Sequence, residues 1–133
     1  MMGCNVVQSS LTWETFVEVR DKDMMASGRR WTVRDRYNNE VYLTHERWEH
    51  ITDSINHPEM AAYEEHLQDT IRSGQRRQDV LQPQKYRYVK AFDDLAAENT
   101  HLVAIVLCRF SAGEDGRPIP NNYIVTAYQQ EIG

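Results

Sequence analysis

From Trp31 onward the chain alternates between two spacings of apolar residues. Trp31 to Tyr37 sets Trp, Val, Asp and Tyr against Thr, Arg and Arg, the period-two pattern of a strand. Asn38-Asn39 is a turn dipeptide that tolerates positive φ, and Glu40-Val41-Tyr42-Leu43 reads as the returning strand of a hairpin. The spacing then becomes helical. Thr44 suits an N-cap, Glu46 suits the positive end of the helix dipole, and Trp48, Ile51 and Ile55 fall on one face. Pro58 breaks this helix, disfavours α geometry at His57 and starts a second one, with His57 or Asn56 as its cap. Met60, Tyr63, Leu67 and Ile71 form the stripe of that second helix, which ends at Ser73-Gly74 with Gly74 at C′.

The rest reads as β. Arg77 to Gln82 is a short edge strand stopped by Pro83. In Lys85 to Phe92, Tyr86, Tyr88, Lys90 and Phe92 share one face, while Arg87, Val89 and Ala91 share the other. Asp93 to Thr100 is a polar turn region, Leu102 to Phe110 a central strand and Ser111 to Pro120 a Gly/Pro loop. Tyr123 to Gln129 is the last strand, with Ile124, Thr126 and Tyr128 on one face. Hairpin, two helices and then strands predict an α+β domain, with two helices packed on one face of an antiparallel sheet of about four strands. Residues 1–30 form an N-terminal arm and residues 31–133 the domain. In the arm, Leu11 to Val19 alternates like a strand and Met24 to Gly28 resembles a linker.

A chain of 133 residues suits one core. No apolar run reaches the roughly 18–20 residues that span a bilayer, and Met1 to Arg20 lacks the features of a signal peptide. Cys4 and Cys108 match no zinc spacing; Cys108 reads as a buried small hydrophobe, and such cysteine usage fits a reducing cytoplasm. The net charge of −5 argues against a nonspecific nucleic-acid binder. Its distribution tempers this, because Thr70 to Lys90 holds Arg72, Arg76, Arg77, Lys85, Arg87 and Lys90 against Asp79 alone. A basic strip on an acidic chain can be a footprint for phosphate, and it can equally be a solvated loop.

Metal-free RNA cleavage needs a base for the ribose 2′-hydroxyl, an acid for the departing 5′-oxygen and a cation for the charge on phosphorus. His50 or His57 can move the proton. Lys90, Arg87 or Arg109 can hold the charge. Thr126 and Tyr128 can donate to phosphate, and Tyr86 or Tyr88 can stack on a base. His50 projects about 130° from its apolar stripe, beside Arg47 and Ser54, and so has no structural role to fill. Capping is sufficient reason for His57, and His45 and His66 read as solvated helix flanks. A metal site at His50 and His57, with Glu49 or Glu59, lacks the tight spacing such sites use.

The ordered set Val41-Tyr42-Leu43-Thr44, Trp48-Glu49-His50-Ile51, His57-Pro58-Glu59, Tyr86-Arg87-Tyr88-Val89-Lys90 and Ile124-Val125-Thr126-Ala127-Tyr128 resembles the phage-associated and polymorphic-toxin nucleases of the barnase, EndoU, colicin and RelE-like superfamily. The resemblance runs over roughly 31–132. It implies two helices followed by a four-stranded antiparallel sheet, and metal-independent RNA cleavage to a 2′,3′-cyclic phosphate without a cofactor. It implies a site of His50, Lys90 and Thr126, with Tyr88 and Tyr128 in support; the residues themselves add Arg87 and Arg109 as candidate substrate contacts. The candidate partners are RNA, as substrate, and an antitoxin or immunity protein. The same residues suit a non-catalytic RNA- or protein-binding module, and the two readings divide on geometry. Catalytic groups must converge on one reacting centre.

Overall fold

The structure, a computed structural model, describes residues 28–133. The strand Leu11 to Val19 and most of the linker expected at Met24 to Gly28 lie outside the described residues. The elements are β1 (Arg29–Arg34), β2 (Glu40–Thr44), α1 (His45–Ile51), a 3-10 helix (Pro58–Ala62), α2 (Glu64–Ser73), β3 (Gln75–Gln78), β4 (Lys85–Ala91), β5 (His101–Ala112) and β6 (Pro118–Gln130). Strand β1 begins at Arg29, two residues before Trp31.

The α+β class holds, but the sheet is larger than expected and mixed. Six strands lie in the order β1-β2-β6-β5-β4-β3. Four antiparallel strands, β3 to β6, follow the helices as expected. The N-terminal hairpin extends the sheet by pairing β2 parallel to β6, with Val41 opposite Asn122 and Tyr42 opposite Tyr123. A parallel pair needs a long crossover connection, and the helices with the strands between β2 and β6 supply it.

Local chemistry explains most boundaries. The hydroxyl of Thr44 accepts from the amide of Arg47 at 3.0 Å, capping α1. Asn38 takes the left-handed turn position with φ of 70°. The first helix stops at Ile51, before Ile55. The hydroxyl of Thr52 donates to the Trp48 carbonyl at 2.9 Å, and Asp53 closes an Asx turn onto the amide of Ile55 at 3.0 Å. Ile55 is therefore 86% exposed, and the stripe of α1 is Trp48 and Ile51 alone. The expected loop from Ser111 to Pro120 shrinks to a turn around Gly113 to Arg117. Pro118 and Pro120 belong to β6, opposite Ala112 and Phe110. They lie before β2 joins at Asn122, where a missing N–H meets no strand partner.

The core lies between the helices and one sheet face. Ile51, Met60, Leu67 and Ile71 pack from the helical side, against Val41, Leu43, Tyr88, Leu102, Ala104, Val106, Ile124 and Ala127. The sheet curls round this core. Asp35, at the end of edge strand β1, accepts from the hydroxyl of Tyr88 on β4 at 2.5 Å. The guanidinium of Arg76, on the opposite edge strand, sits between the rings of Tyr37 and Tyr86 at 4.5 and 4.4 Å from their centroids. Contact between the two sheet edges makes the helix-bearing face concave.

Glu64 ties α2 to β1. Its carboxylate accepts from Trp31 Nε1 at 2.8 Å, from Arg30 Nη2 at 3.0 Å and from Arg30 Nε. The Arg30 hydrogen bond, aided by Trp31 against some desolvation, holds the Glu64 carboxyl below the ordinary carboxylate range. A depressed carboxyl contributes stability above its unfolded pKa and loses it as pH falls through the folded one. Glu64→Gln is expected to cost about 1–2 kcal/mol at neutral pH and to shrink the loss of stability below about pH 4.5. Urea unfolding from pH 3 to 7 measures both, and an unchanged acid limb would exclude Glu64 as its source.

Candidate functional site

Residues directly opposite on neighbouring strands share a face, so the register assigns every strand side chain. Lys90 is opposite Leu102 and Tyr88 is opposite Ala104, both core residues, so Lys90 and Tyr88 lie on the helical face. Arg87 is opposite Ile105, which is opposite Thr126, and Tyr128 is opposite Val103. Arg109 is opposite Asn121. Arg87, Arg109, Thr126 and Tyr128 therefore share the face turned away from the helices.

The three expected catalytic residues do not converge. Lys90 and Thr126 are on opposite faces of the sheet with β5 between them, and His50 is on α1, in the helical layer. The charges acting on His50 are Arg47, Asp53 and Glu46, all from its own helix and the turn after it; partial desolvation, then Arg47, lowers its proton affinity. The reason for Thr126 is a β-bulge. Val106 pairs with Ile124 and Ile105 with Thr126, leaving Val125 as the extra residue on β6. Ile124 thus stays on the helical face while Thr126 and Tyr128 change to the other, against the shared face expected for all three.

Tyr88 is not available to a substrate. It is fully buried and its hydroxyl is engaged by Asp35. Burial, then the Asp35 hydrogen bond, raises its pKa far above that of an ordinary tyrosine. It serves the core and the closure of the sheet rather than base stacking.

The face turned away from α1 and α2 carries a different collection. Arg87 Nη2 donates to Gln130 Oε1 at 2.8 Å across the sheet, and Arg109 Nη1 donates to the Tyr123 hydroxyl at 3.4 Å. Arg77 is opposite Arg87, and Lys85 is opposite Leu107, so both add charge to this face. No acidic residue occurs anywhere in β3, β4, β5 or β6. On a chain of net charge −5, the carboxylates have been kept out of four adjacent strands.

Two histidines have partners that the sequence does not disclose. His57 occupies the cap position of the 3-10 helix with no side-chain cap hydrogen bond. Its ring instead stacks on Tyr128 with centroids 5.6 Å apart, and its Nδ1 lies 3.5 Å from Glu59. The stack forms where β6 runs on past its short pairing with β2, so His57 reaches the sheet margin from the helical layer. His66, expected on a solvated flank, lies 2.9 Å from the Asp94 carboxylate and packs against Tyr63 and Phe92. Lys90 Nζ lies 5.7 Å from the centroid of the same Phe92 ring, so the histidine that shares a neighbour with Lys90 is His66. Tyr63 and His66, three apart on one helical flank, are a readable pair; the reach of Asp94 from the β4–β5 loop is not.

Cys108 is half-buried, and burial pushes its thiol up to about 11, which agrees with a packing role. Among the described residues no three metal-binding side chains come together, and no helix is long and apolar enough to cross a membrane. No protein-family model matches this chain, and neither the curated proteins nor the solved structures contain a match to it.

Proposed function

We propose that the protein binds single-stranded RNA on the face of its sheet turned away from α1 and α2. The observation that supports this reading is the acid-free block of β3 to β6, which turns Arg77, Lys85, Arg87 and Arg109 to one face together with Thr126, Tyr123 and Tyr128. Cations along a strand direction hold phosphates without reading sequence, and tyrosine rings and hydroxyls supply stacking and hydrogen bonds to bases and riboses. The contacts of Arg87 with Gln130 and of Arg109 with Tyr123 hold the two guanidinium groups in place before any ligand arrives.

The test is fluorescence anisotropy with a labelled 12-nucleotide single-stranded RNA across a salt series. Arg87→Ala with Arg109→Ala is expected to weaken binding by about tenfold or more and to reduce the salt slope by about 0.7 for each phosphate that is no longer neutralised. Lys90→Ala, on the other face, is expected to stay within about twofold of the unmodified protein. Equal weakening by both would place the ligand elsewhere.

A second reading is cleavage of that RNA by 2′-hydroxyl attack, leaving a 2′,3′-cyclic phosphate. The stack of His57 on Tyr128 favours it, because it brings an imidazole to the margin of the basic face. In this form His57 takes the 2′-hydroxyl proton in place of His50 as the O2′–P bond forms, Arg87 supplies the charge in place of Lys90, and the P–O5′ bond breaks with solvent water giving a proton to the departing 5′-oxygen. Incubation of a labelled RNA in EDTA reads the outcome. RNA left intact by high protein concentrations, although bound, removes cleavage and leaves the binding reading standing.

A further inference from the structure

Arg77 and Arg87 stand directly opposite each other on β3 and β4, and Lys85 lies two residues before Arg87 on the same face. Facing residues put their Cβ atoms about 4.5–5.5 Å apart, and diagonal neighbours such as Arg77 and Lys85 about 7–8 Å. Three long cationic side chains therefore rise from one corner of the sheet within reach of a single small anion. Like charges directly opposite destabilise a strand pair, so this hairpin carries a repulsion between Arg77 and Arg87.

Asp79, the one acidic residue between Gln75 and Ala91, does not relieve it. Its amide donates to the Lys85 carbonyl at 2.8 Å, which continues the ladder and sets Asp79 beside Lys85. Its Oδ2 accepts from the amides of Leu81 and Gln82 at 3.0 and 2.8 Å, so the carboxylate closes its own turn rather than bridging to a cation. Among the described residues neither Arg77 nor Lys85 has a side-chain hydrogen bond or an ion pair. Arg87 is held by a neutral group, Gln130 Oε1, through Nη2 alone at 2.8 Å, which leaves its other N–H groups for a ligand.

Charge and geometry select the anion. Three cations against the single carboxylate of Asp79 leave two charges unmet at this corner. A phosphate monoester carries about 1.5 to 2 negative charges at neutral pH and offers three free oxygens. An internal phosphodiester carries one charge and offers two such oxygens. Forked guanidinium groups match pairs of oxygens, and the lysine adds a point charge. Position argues the same way. β3 is the outermost strand on this side of the sheet, after β6, β5 and β4. An RNA strand that crosses from Tyr123 and Arg109 meets its last cations here, where a chain end fits.

We infer that Arg77, Lys85 and Arg87 form a site for a terminal phosphate monoester. The RNA held on this face is then one with a phosphorylated end, a step that rests on the RNA-binding reading above. The test is fluorescence anisotropy of the full chain with a single-stranded RNA labelled at an internal base. The RNA is made with hydroxyl ends, with a 5′-phosphate or with a 3′-phosphate. At least one phosphorylated form is expected to bind about tenfold or more tightly than the hydroxyl form, and the form that does so identifies the end. Arg77→Gln, an exposed change whose folding circular dichroism melts establish, brings that ratio to about one. Arg109→Ala weakens all three forms alike and keeps the ratio. Equal binding of the three forms by the unmodified protein overturns the inference and leaves RNA binding standing. A preference that Arg77→Gln leaves intact places the phosphate elsewhere and overturns it too. If no RNA binds, an amide-resolved NMR titration with inorganic phosphate in place of chloride decides. Shifts confined to 75–78 and 85–89 keep the phosphate site and remove the RNA reading, and their absence overturns both.

Discussion

Asp35→Ala is expected to lower stability by about 3–4 kcal/mol, measured by urea unfolding at neutral pH. Asp35 is 5% exposed and accepts four hydrogen bonds. They come from the Tyr88 hydroxyl at 2.5 Å, the Tyr37 and Asn39 amides at 2.9 and 2.8 Å, and Asn39 Nδ2 at 3.3 Å. Alanine leaves a buried phenol without an acceptor and frees the turn that presents Tyr37 to Arg76. Tyr88→Phe removes one donor from a carboxylate that keeps the others, so about 1–2 kcal/mol is expected. The double variant should cost less than the sum, with a coupling of at least about 1 kcal/mol, because either change alone opens the same contact between sheet edges. Strict additivity would show that Asp35 acts only on its own turn. A domain of this size drops roughly 4–8 °C in Tm per kcal/mol, so the fall is large enough to read by thermal melting.

Gly74→Ala is the second large effect. A methyl group here would lie 2.4 Å from the Thr70 carbonyl oxygen and 2.8 Å from that of Val89. Both obstacles are backbone, one in α2 and one in β4, so neither can rotate aside. The alternative is to lift the end of α2 from the sheet, which withdraws Leu67 and Ile71 from the core. Separating even part of these fully buried side chains costs on the order of 3 kcal/mol or more, and poor folding of the variant is an equal reading of the same clash. Gly74→Ser should behave like alanine. A variant as stable as the parent would mean that helix and strand are free to separate here.

Gly74 also shows where the sequence is readable and where it is not. Helix followed by glycine marks the boundary correctly. The expected reason is left-handed backbone, yet φ is −72° and the need is for space. The alternation in β4 assigns Tyr88 and Lys90 to the core side and Arg87 to the other, because one regular strand obeys period two. The same rule fails on β6, where one extra residue at Val125 exchanges the faces. A bulge depends on the partner strand and has no local signature in Ile124-Val125-Thr126. The site expected from His50, Lys90 and Thr126 inherits that error. Helical spacing excludes His50 from the core correctly, but it carries no information about which face of a distant sheet the ring approaches. Pro58 makes capping a sufficient local reason for His57; the stack with Tyr128 joins residues 71 positions apart and is visible only in three dimensions. Of the basic strip between Thr70 and Lys90, Arg76, Arg77, Lys85, Arg87 and Lys90 fall in β3 and β4, which hold no acid, and Arg72 falls in α2.

The parallel pairing of β2 with β6 bears on how the chain acquires its shape. Val41 and Tyr42 find their partners at Asn122 and Tyr123, after both helices and three strands have intervened. During synthesis the β1–β2 hairpin leaves the ribosome before β6 and has no docking edge until β6 has emerged. A two-stranded hairpin alone is marginal in water, so its apolar residues Val41 and Leu43 must wait for a late strand. Such non-local pairing raises the contact order and slows the final step of folding. The interval in which an unpaired edge of β6 and a loose hairpin coexist is when this chain is most open to pairing with a neighbour, and shortening its C-terminus would prolong it without limit.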